Sequence, residues 1–555
     1  MRGERSGAPA NGGTDGEVRT KRSVLAWLTT VLAALLALLV LTAPYDFGQL
    51  TPAGFVRIPL EALLFVALLV ALPSRGSRLV ATVAGVALGL LGMLKLLDLG
   101  FSASLGRAFD PVLDWALLDD AFAFLSESYG RPGAIGAAIV VAVVAVGLPV
   151  LVTLSVRRLS RLVIRHRAGT TRIMAALVVV WVVCAAFNVR VLPGVPVADT
   201  SATTLANGHG FQVRLRLNDR KTFSTLVDAD RFRDTPGDQL LTALRGKNVV
   251  ISFVESYGRD AVEDPEFAPQ VGAVLDSGTS RLGAAGFAAQ SGFLTSPTFG
   301  GGSWLAHATL LSGLWIDNDQ RHRTLLASDR MTLNGAFRRA NWQTVGVMPA
   351  VTRAWPEGSF FGYDRFYNAK TLDYHGPKFS FGTMPDQYTL SSWQGLEQAK
   401  QDGRPTMTEL ALVSSHAPWT PVPRLIDWTT VGDGATFHDA AAGGGAADEG
   451  RRTTAQIRAD YRHSIEYTLS TLISYVETYG DDDLVFIVLG DHQPATVVTG
   501  ENASHDVPIT IITRDRAVLD RISGWGWQDG LKPGPQAPVW PMDTFRDRFL
   551  TAFGP

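Results

Sequence analysis

Two stretches of this 555-residue chain, Val24–Ala43 and Ala134–Val156, contain no charged residue at all. Each exceeds the roughly 18 apolar residues that read as a bilayer-spanning helix. A backbone surrounded by lipid must satisfy its own hydrogen bonds, so such runs have little choice but to be helical. Ile173–Val189 is slightly shorter and equally clean, while Phe55–Leu72 and Leu79–Leu97 are long enough but carry ions. The expectation is a tail at 1–23 and a transmembrane domain of five helices over 24–190. A cleaved leader is the alternative for the first run. That run is longer than the about 7–15 residues of a signal core, and no small-x-small site follows it, so a retained anchor is expected.

Charge gives the expected orientation. The formal net charge of −2 conceals a split, with residues 1–198 at +7 and residues 199–555 at −9. Arg19, Lys21 and Arg22 precede the first run, Arg75 and Arg78 follow the second, and Arg157–Arg172 holds six arginines and no acid. The alternate loops carry Asp46, or are rich in acid (Asp110, Asp114, Asp119, Asp120, Glu127). By the positive-inside rule this reads as a multi-pass plasma-membrane protein with a cytoplasmic N-terminus and an extracellular C-terminal portion. The balance of charge argues against nucleic acid as a partner. Cys184, the single cysteine, excludes an internal disulfide framework and a cysteine-based zinc cluster. Within the apolar region Arg57 and Glu61 lie four apart, and Lys95 and Asp98 three apart. Snorkelling at span ends is the plainer reading; a polar recess for a lipid head group is the sharper one.

After residue 190 the pattern changes. Residues 191–245 read as a polar juxtamembrane connector. Over 246–555, short apolar runs at Val249–Val254, Thr344–Met348, Leu410–Val413, Leu484–Leu489 and Ile509–Ile512 alternate with helical periodicity, notably Ala455–Tyr479. This predicts an α/β domain with a largely parallel central sheet. Asp433–Arg452, rich in Gly, Ala and Asp, reads as a flexible surface insertion.

Ligand sites of open α/β sheets lie beyond the carboxyl ends of the strands. Glu255, His416 and the pair Asp491-His492 each directly follow an expected strand. Two carboxylates and an imidazole there could hold one divalent cation, although a capping Asp beside a surface His is the ordinary alternative for the pair alone. Gly300-Gly301-Gly302 precedes Ser303, and Ser303–Leu311 reads as a helix. Its first residue is either a helix cap or a nucleophile at an anion-attracting N-terminus, and the two roles are compatible.

In their order, Val249–Ser256, Gly300–Ser303, Ser414–Pro418, Gly490–Pro494 and His505–Pro508 resemble the alkaline phosphatase/sulfatase superfamily. The resemblance is to its membrane-anchored branch of lipoteichoic acid synthases and phosphoethanolamine transferases. It implies an alkaline phosphatase-like fold, Glu255, Asp491 and His492 as metal ligands, and Ser303 as both nucleophile and ligand. It further implies that His416 and His505 act near the substrate phosphate and that Arg353 contacts it. Those families usually carry threonine where Ser303 stands, so Thr298 and Thr309 are rivals for that role. The histidine that lipoteichoic acid synthases place near Met348-Pro349 is absent, as is the Cys/Ser-x-Pro-x-Arg signature of formylglycine sulfatases.

The function expected is transfer of a phospholipid head group, phosphoglycerol before phosphoethanolamine, to a cell-envelope acceptor through a phosphoserine-type intermediate. One divalent ion (Mn, Mg or Zn) is the expected cofactor, with the oligomeric state left open. A phosphodiesterase- or sulfatase-type hydrolase is the main alternative, and a non-catalytic membrane scaffold the one from another class. His307, four residues after Ser303, shares its helix face, but packing is the plainer reading for it and for the other histidines.

Overall fold

The computed structural model describes residues 14–44, 51–192, 195–379, 383–398, 403–439, 441–442 and 452–555. Part of the basic tail, Asp46, and half of the Gly/Ala/Asp-rich insertion lie outside the described residues. The chain forms two compact units, one of residues 1–102, 108–111 and 118–214, the other of 103–107, 112–117 and 215–555. The connector expected at 191–245 is mostly one helix, Ser201–Asp228, shared between them.

The first unit is built from helices α1 (Thr14–Thr42), α2 (Leu60–Ala71), α3 (Ser74–Leu105), α4 (Leu117–Arg165) and α5 (Arg167–Ala186). Among the described residues four helical stretches are long and apolar enough to cross a membrane: Val24–Thr42, Ser74–Leu105, Gly130–Arg165 and Arg167–Ala186. The expectation of five is corrected at Phe55–Leu72. Pro59 caps α2 in extended geometry, and Ile58-Pro59 is drawn into parallel pairing with Ala198-Asp199, so only 12 residues remain helical.

The described contacts of Arg57, Glu61, Lys95 and Asp98 run to groups distant in the chain. Arg57 lies before α2, not on its face, and meets Asp199 at 3.5 Å. Glu61 Oε1 accepts from the Thr203 backbone N–H and hydroxyl at 2.9 and 2.8 Å. Lys95 Nζ donates to the carbonyls of Val40, Leu41 and Ala43 at 2.7–3.0 Å, which satisfies orphan acceptors at the α1 C-terminus. Asp98 takes a hydrogen bond from the Phe109 amide and lies 3.0 Å from His209 Nε2. Each of these four ions therefore has a partner elsewhere in the unit, as charges among apolar helices require.

The second unit is organised by one nine-stranded sheet. Its strands are β1 (Asn248–Val254), β2 (Ala288–Thr295), β3 (Gln343–Met348), β4 (Arg365–Asn368), β5 (Thr406–Leu412), β6 (Leu484–Gly490), β7 (Asp506–Thr513), β8 (Gln528–Asp529) and β9 (Val539–Pro541). Their order is β8-β2-β7-β6-β1-β5-β3-β4, with β9 on β2. Five neighbouring strands, β6-β1-β5-β3-β4, run parallel, but β7 is antiparallel to β6 and β2 to β7. The expected largely parallel sheet is thus parallel over one half only. A parallel return takes a long crossover, usually helical. The link from β6 to β7 holds a single four-residue helix, Thr496–Thr499, and turns back instead.

Both faces of the sheet are covered. Along β1, Val249, Ile251 and Phe253 enter one core while Val250 and Val254 enter the other, the period-two alternation of a central strand. Helix α6 (Ser303–Ser312) and the C-terminal α7 (Phe545–Ala552) pack in the first core. Residues of the long helix Thr454–Tyr479 pack in the second, its start fixed by a Thr453/Gln456 capping box.

One buried ion pair ties the C-terminus to this unit. Arg546, wholly buried, pairs with Asp230 and donates to the Ser312 and Met331 carbonyls at 2.8 Å. Burial pushes the Asp230 carboxyl up, but Arg546 and Arg330 outweigh it and hold it below the usual carboxylate range. Asp230→Ala leaves Arg546 buried without a counter-charge and is expected to cost about 3–5 kcal/mol in urea melts. Because the folded pKa is depressed, the wild-type contribution is complete above about pH 4 and is lost as pH falls through the lowered value. An acid-melting midpoint equal in the two proteins would contradict this.

Candidate active site and metal centre

The parallel half of the sheet delivers reactive groups to one edge. Glu255 follows β1, and Asp491 and His492 follow the adjacent β6, with Val254 paired to Gly490 at the strand ends. Helix α6 begins at Ser303 after three glycines. Gly300 and Gly302 adopt φ of +68° and +80°, values that favour glycine, so the chain can double back and point the first helical residue at the strand ends.

Glu255, Asp491 and His492 are buried and offer three ligand atoms within 4.8 Å of one another. Ser303 Oγ donates to Glu255 Oε2 at 3.0 Å and lies 3.3 Å from His492 Nε2. Thr298 and Thr309 are displaced from this role. The Thr309 hydroxyl, fully buried, donates to the Leu305 carbonyl at 2.7 Å, and that of Thr298 lies 3.5 Å from the Ser296 hydroxyl.

The ligand atoms are held by an outer set of hydrogen bonds. Asp491 Oδ1 accepts from the backbone N–H groups of Ser256 and His492 at 2.8 and 2.7 Å. Ser256 sits at φ +57°, a left-handed conformation unusual for serine, which aims its amide at Asp491. Its hydroxyl donates to Glu255 Oε1 at 2.8 Å. His492 Nδ1 must be the donor to the Gln493 carbonyl at 2.8 Å, so Nε2 is the nitrogen turned toward Ser303.

This set suits a divalent cation. Burial raises both carboxyls. At Glu255 the imidazoles of His416 and His492 outweigh it and bring the group down to about 2. At Asp491 burial and the neighbouring Glu255 push the group up to about 6. Among the described hydrogen bonds and ion pairs no lysine or arginine meets either carboxylate. Two carboxylate oxygens and one imidazole nitrogen are the donor types of a Zn²⁺, Mn²⁺ or Mg²⁺ site.

Of the other residues singled out by sequence, His416 lies close enough for its charge to act on Glu255, and its Nδ1 donates to the Ala417 carbonyl at 2.6 Å. Its loop is positioned by groups the sequence did not mark. Buried Asp386 accepts from the Val413 and Ser414 amides at 2.8 and 3.0 Å, and the Ser415 hydroxyl donates to the Glu255 carbonyl. Both contacts join residues far apart in the chain, with no local motif to reveal them. His505 precedes β7, whose antiparallel direction returns it to the same edge of the sheet, where its ring meets Phe299 at 5.3 Å. Burial lowers its imidazole pKa. Arg353 is exposed, and among the described residues no hydrogen bond or ion pair joins it to Glu255, Ser303, Asp491 or His492.

Residues 247–509 match the sulfatase family model. They form a sulfatase-family domain. That domain holds Glu255, Ser303, Asp491, His492, His416 and His505 within one family unit. No curated protein matches the chain. Among solved structures, the lipoteichoic acid synthase LtaP from Listeria monocytogenes is 14% identical, with 56% of this chain and 73% of that one covered at a TM-score of 0.37. The periplasmic domain of EcEptC from Escherichia coli is 10% identical over 56% and 82%, TM-score 0.36. The phosphoglycerol transferase GacH from Streptococcus pyogenes, in complex with sn-glycerol-1-phosphate, is 11% identical over 60% and 91%, TM-score 0.34.

Proposed function

We propose that this chain is a membrane-bound, metal-dependent phosphotransferase. It moves a phospholipid head group, phosphoglycerol in the first instance and phosphoethanolamine in the second, to an acceptor hydroxyl of the cell envelope. The observation that carries the reading is the Ser303 hydroxyl, within 3.3 Å of both Glu255 and His492 at a helix N-terminus, in a chain with four helices of spanning length.

The chemistry is a two-step displacement. Ser303 Oγ attacks the head-group phosphorus, the Oγ–P bond forms, the bond to the glyceride oxygen breaks, and diacylglycerol departs with a proton. An acceptor hydroxyl then attacks the same phosphorus, the P–Oγ bond breaks, and Ser303 regains its proton. A divalent ion held by Glu255, Asp491 and His492 would favour the serine alkoxide and draw charge from a phosphoryl oxygen. His416, whose charge reaches Glu255, is placed to steady negative charge or protonate the departing alcohol.

The reading includes location. The basic segments are placed on the cytoplasmic side of the membrane and the sulfatase-family domain on the outer side. A periplasm-type reporter fused at Pro555 is expected to be active and a cytoplasmic one silent; the reverse pattern would contradict the placement.

The second reading, favoured by the sulfatase family match, is hydrolysis with water as acceptor. Thin-layer chromatography of labelled phosphatidylglycerol incubated with the full-length protein in vesicles separates the two. Transfer yields diacylglycerol and a labelled acceptor; hydrolysis yields free glycerol phosphate. Unchanged phosphatidylglycerol and phosphatidylethanolamine would refute the head-group reading.

A further inference from the structure

Strand β5 carries a carboxylate where a central strand is expected to be apolar. Glu409 is 1% exposed, paired in register with Ile251 of β1 on one side and Gly346 of β3 on the other. An isolated buried carboxylate is costly, so its partners are informative. Oε1 lies 2.8 Å from His307 Nδ1, and Oε2 accepts from the Tyr363 hydroxyl and, at 3.4 Å, from Asn334 Nδ2. Among the described contacts no lysine or arginine reaches it. Burial, then Glu409 itself, pushes the Tyr363 hydroxyl well above its usual pKa, so Tyr363 remains a donor.

This arrangement fixes His307. Its ring stacks on Phe253 with centroids 3.7 Å apart and planes 14° from parallel. Phe253 is two residues before Glu255 on β1, so the ring rests just beneath the metal ligands. His307 also lies one turn after Ser303 on α6, where i and i+4 side chains are neighbours. It lies near enough to Asp491 to influence it electrostatically. With Nδ1–H given to Glu409, Nε2 is left as an acceptor, and among the described residues it has no hydrogen-bond partner. The side chain retains 12% exposure.

Resting on the phosphotransferase reading above, we propose that His307 is a further catalytic residue that serves the second step. Its Nε2 takes the proton of the acceptor hydroxyl as that oxygen bonds to phosphorus, and returns it to Ser303 Oγ as the P–Oγ bond breaks. Glu409 and Tyr363 are positioning residues that hold Nδ1 and the ring plane. The ligand class assigned to this end of the site is a hydroxyl compound, an alcohol or water.

A step-specific role has a step-specific signature. The test uses the full-length protein, loaded with Mn²⁺, and a p-nitrophenyl phosphodiester. His307→Gln is expected to release about one p-nitrophenolate per chain in a burst, then turn over roughly 10²-fold more slowly. Intact-mass spectrometry should show the phosphoryl group retained on Ser303, and added imidazole should restore part of the turnover. Glu409→Gln, which keeps an acceptor for Nδ1–H, should show the same burst with a loss of about tenfold. Bound metal should be unchanged in both. Slow turnover without a burst or retained phosphoryl group, or wild-type kinetics, would overturn the role of His307 while leaving the phosphotransferase reading intact. Turnover by Ser303→Ala in the same assay would overturn that reading, and this inference with it.

Discussion

Ser303→Ala is expected to lower head-group release by roughly 10⁴-fold or more, the scale on which loss of a covalent nucleophile registers. The structural cost should be small. Ser303 is partly buried, its Cβ remains in alanine, and its carbonyl and amide continue to serve the start of α6. The two hydrogen bonds removed run to Glu255 and His492, both with other partners. The variant should therefore melt like wild type, retain its metal and yet release no diacylglycerol. Ser303→Thr, which keeps the hydroxyl, should retain measurable release. A fully active Ser303→Ala protein would show that the reaction bypasses this hydroxyl.

Asp491→Ala is the second large effect, through a different route. The substitution removes one anionic ligand and leaves the Ser256 and His492 amides without their acceptor. Metal per chain, measured by atomic emission after gel filtration, is expected to fall toward zero, and activity to fall to background. Any stabilisation conferred by the ion should go too, about 2.7 kcal/mol where free metal stands at 100 times Kd. Asp491→Asn separates the two roles. Its side-chain oxygen can still accept from both amides, so the fold should melt near the wild-type temperature while metal affinity drops. Retention of full metal content by Asp491→Ala would place the cation elsewhere.

The strand ends were legible because buried strands such as Leu484–Gly490 are continuous apolar runs ending in a polar pair, a pattern visible without neighbours. Glu255, Ser303, Asp491 and His492, picked out on that basis and by family resemblance, lie together, with three ligand atoms within 4.8 Å of one another and Ser303 Oγ beside two of them. What escaped depended on contacts between distant segments. Phe55–Leu72 is apolar enough to suggest a full span, but Pro59 and the pairing with Ala198-Asp199 keep its first residues extended. Strand β5 begins at Thr406, earlier than its apolar run, because Glu409 interrupts the pattern and is accommodated only by His307, Tyr363 and Asn334. Strand β2, Ala288–Thr295, has small and polar residues that signal nothing until β7 pairs with it. The direction of β7 follows from the length and content of its link to β6, not from its own residues.

The register of β1 against β6 has a consequence for how this protein comes to be active. Val254 lies opposite Gly490, so Glu255 and Asp491 emerge side by side. A slip of one residue would turn every side chain of one strand to the opposite face and part the two carboxylates. These strands are joined through more than two hundred intervening residues, so their pairing is a late, long-range event in folding. A chain that has collapsed without aligning them holds the same ligands but not the same site. On the proposed reading, metal uptake is expected to report completed assembly, and a copy with the strands misaligned is expected to bind no ion.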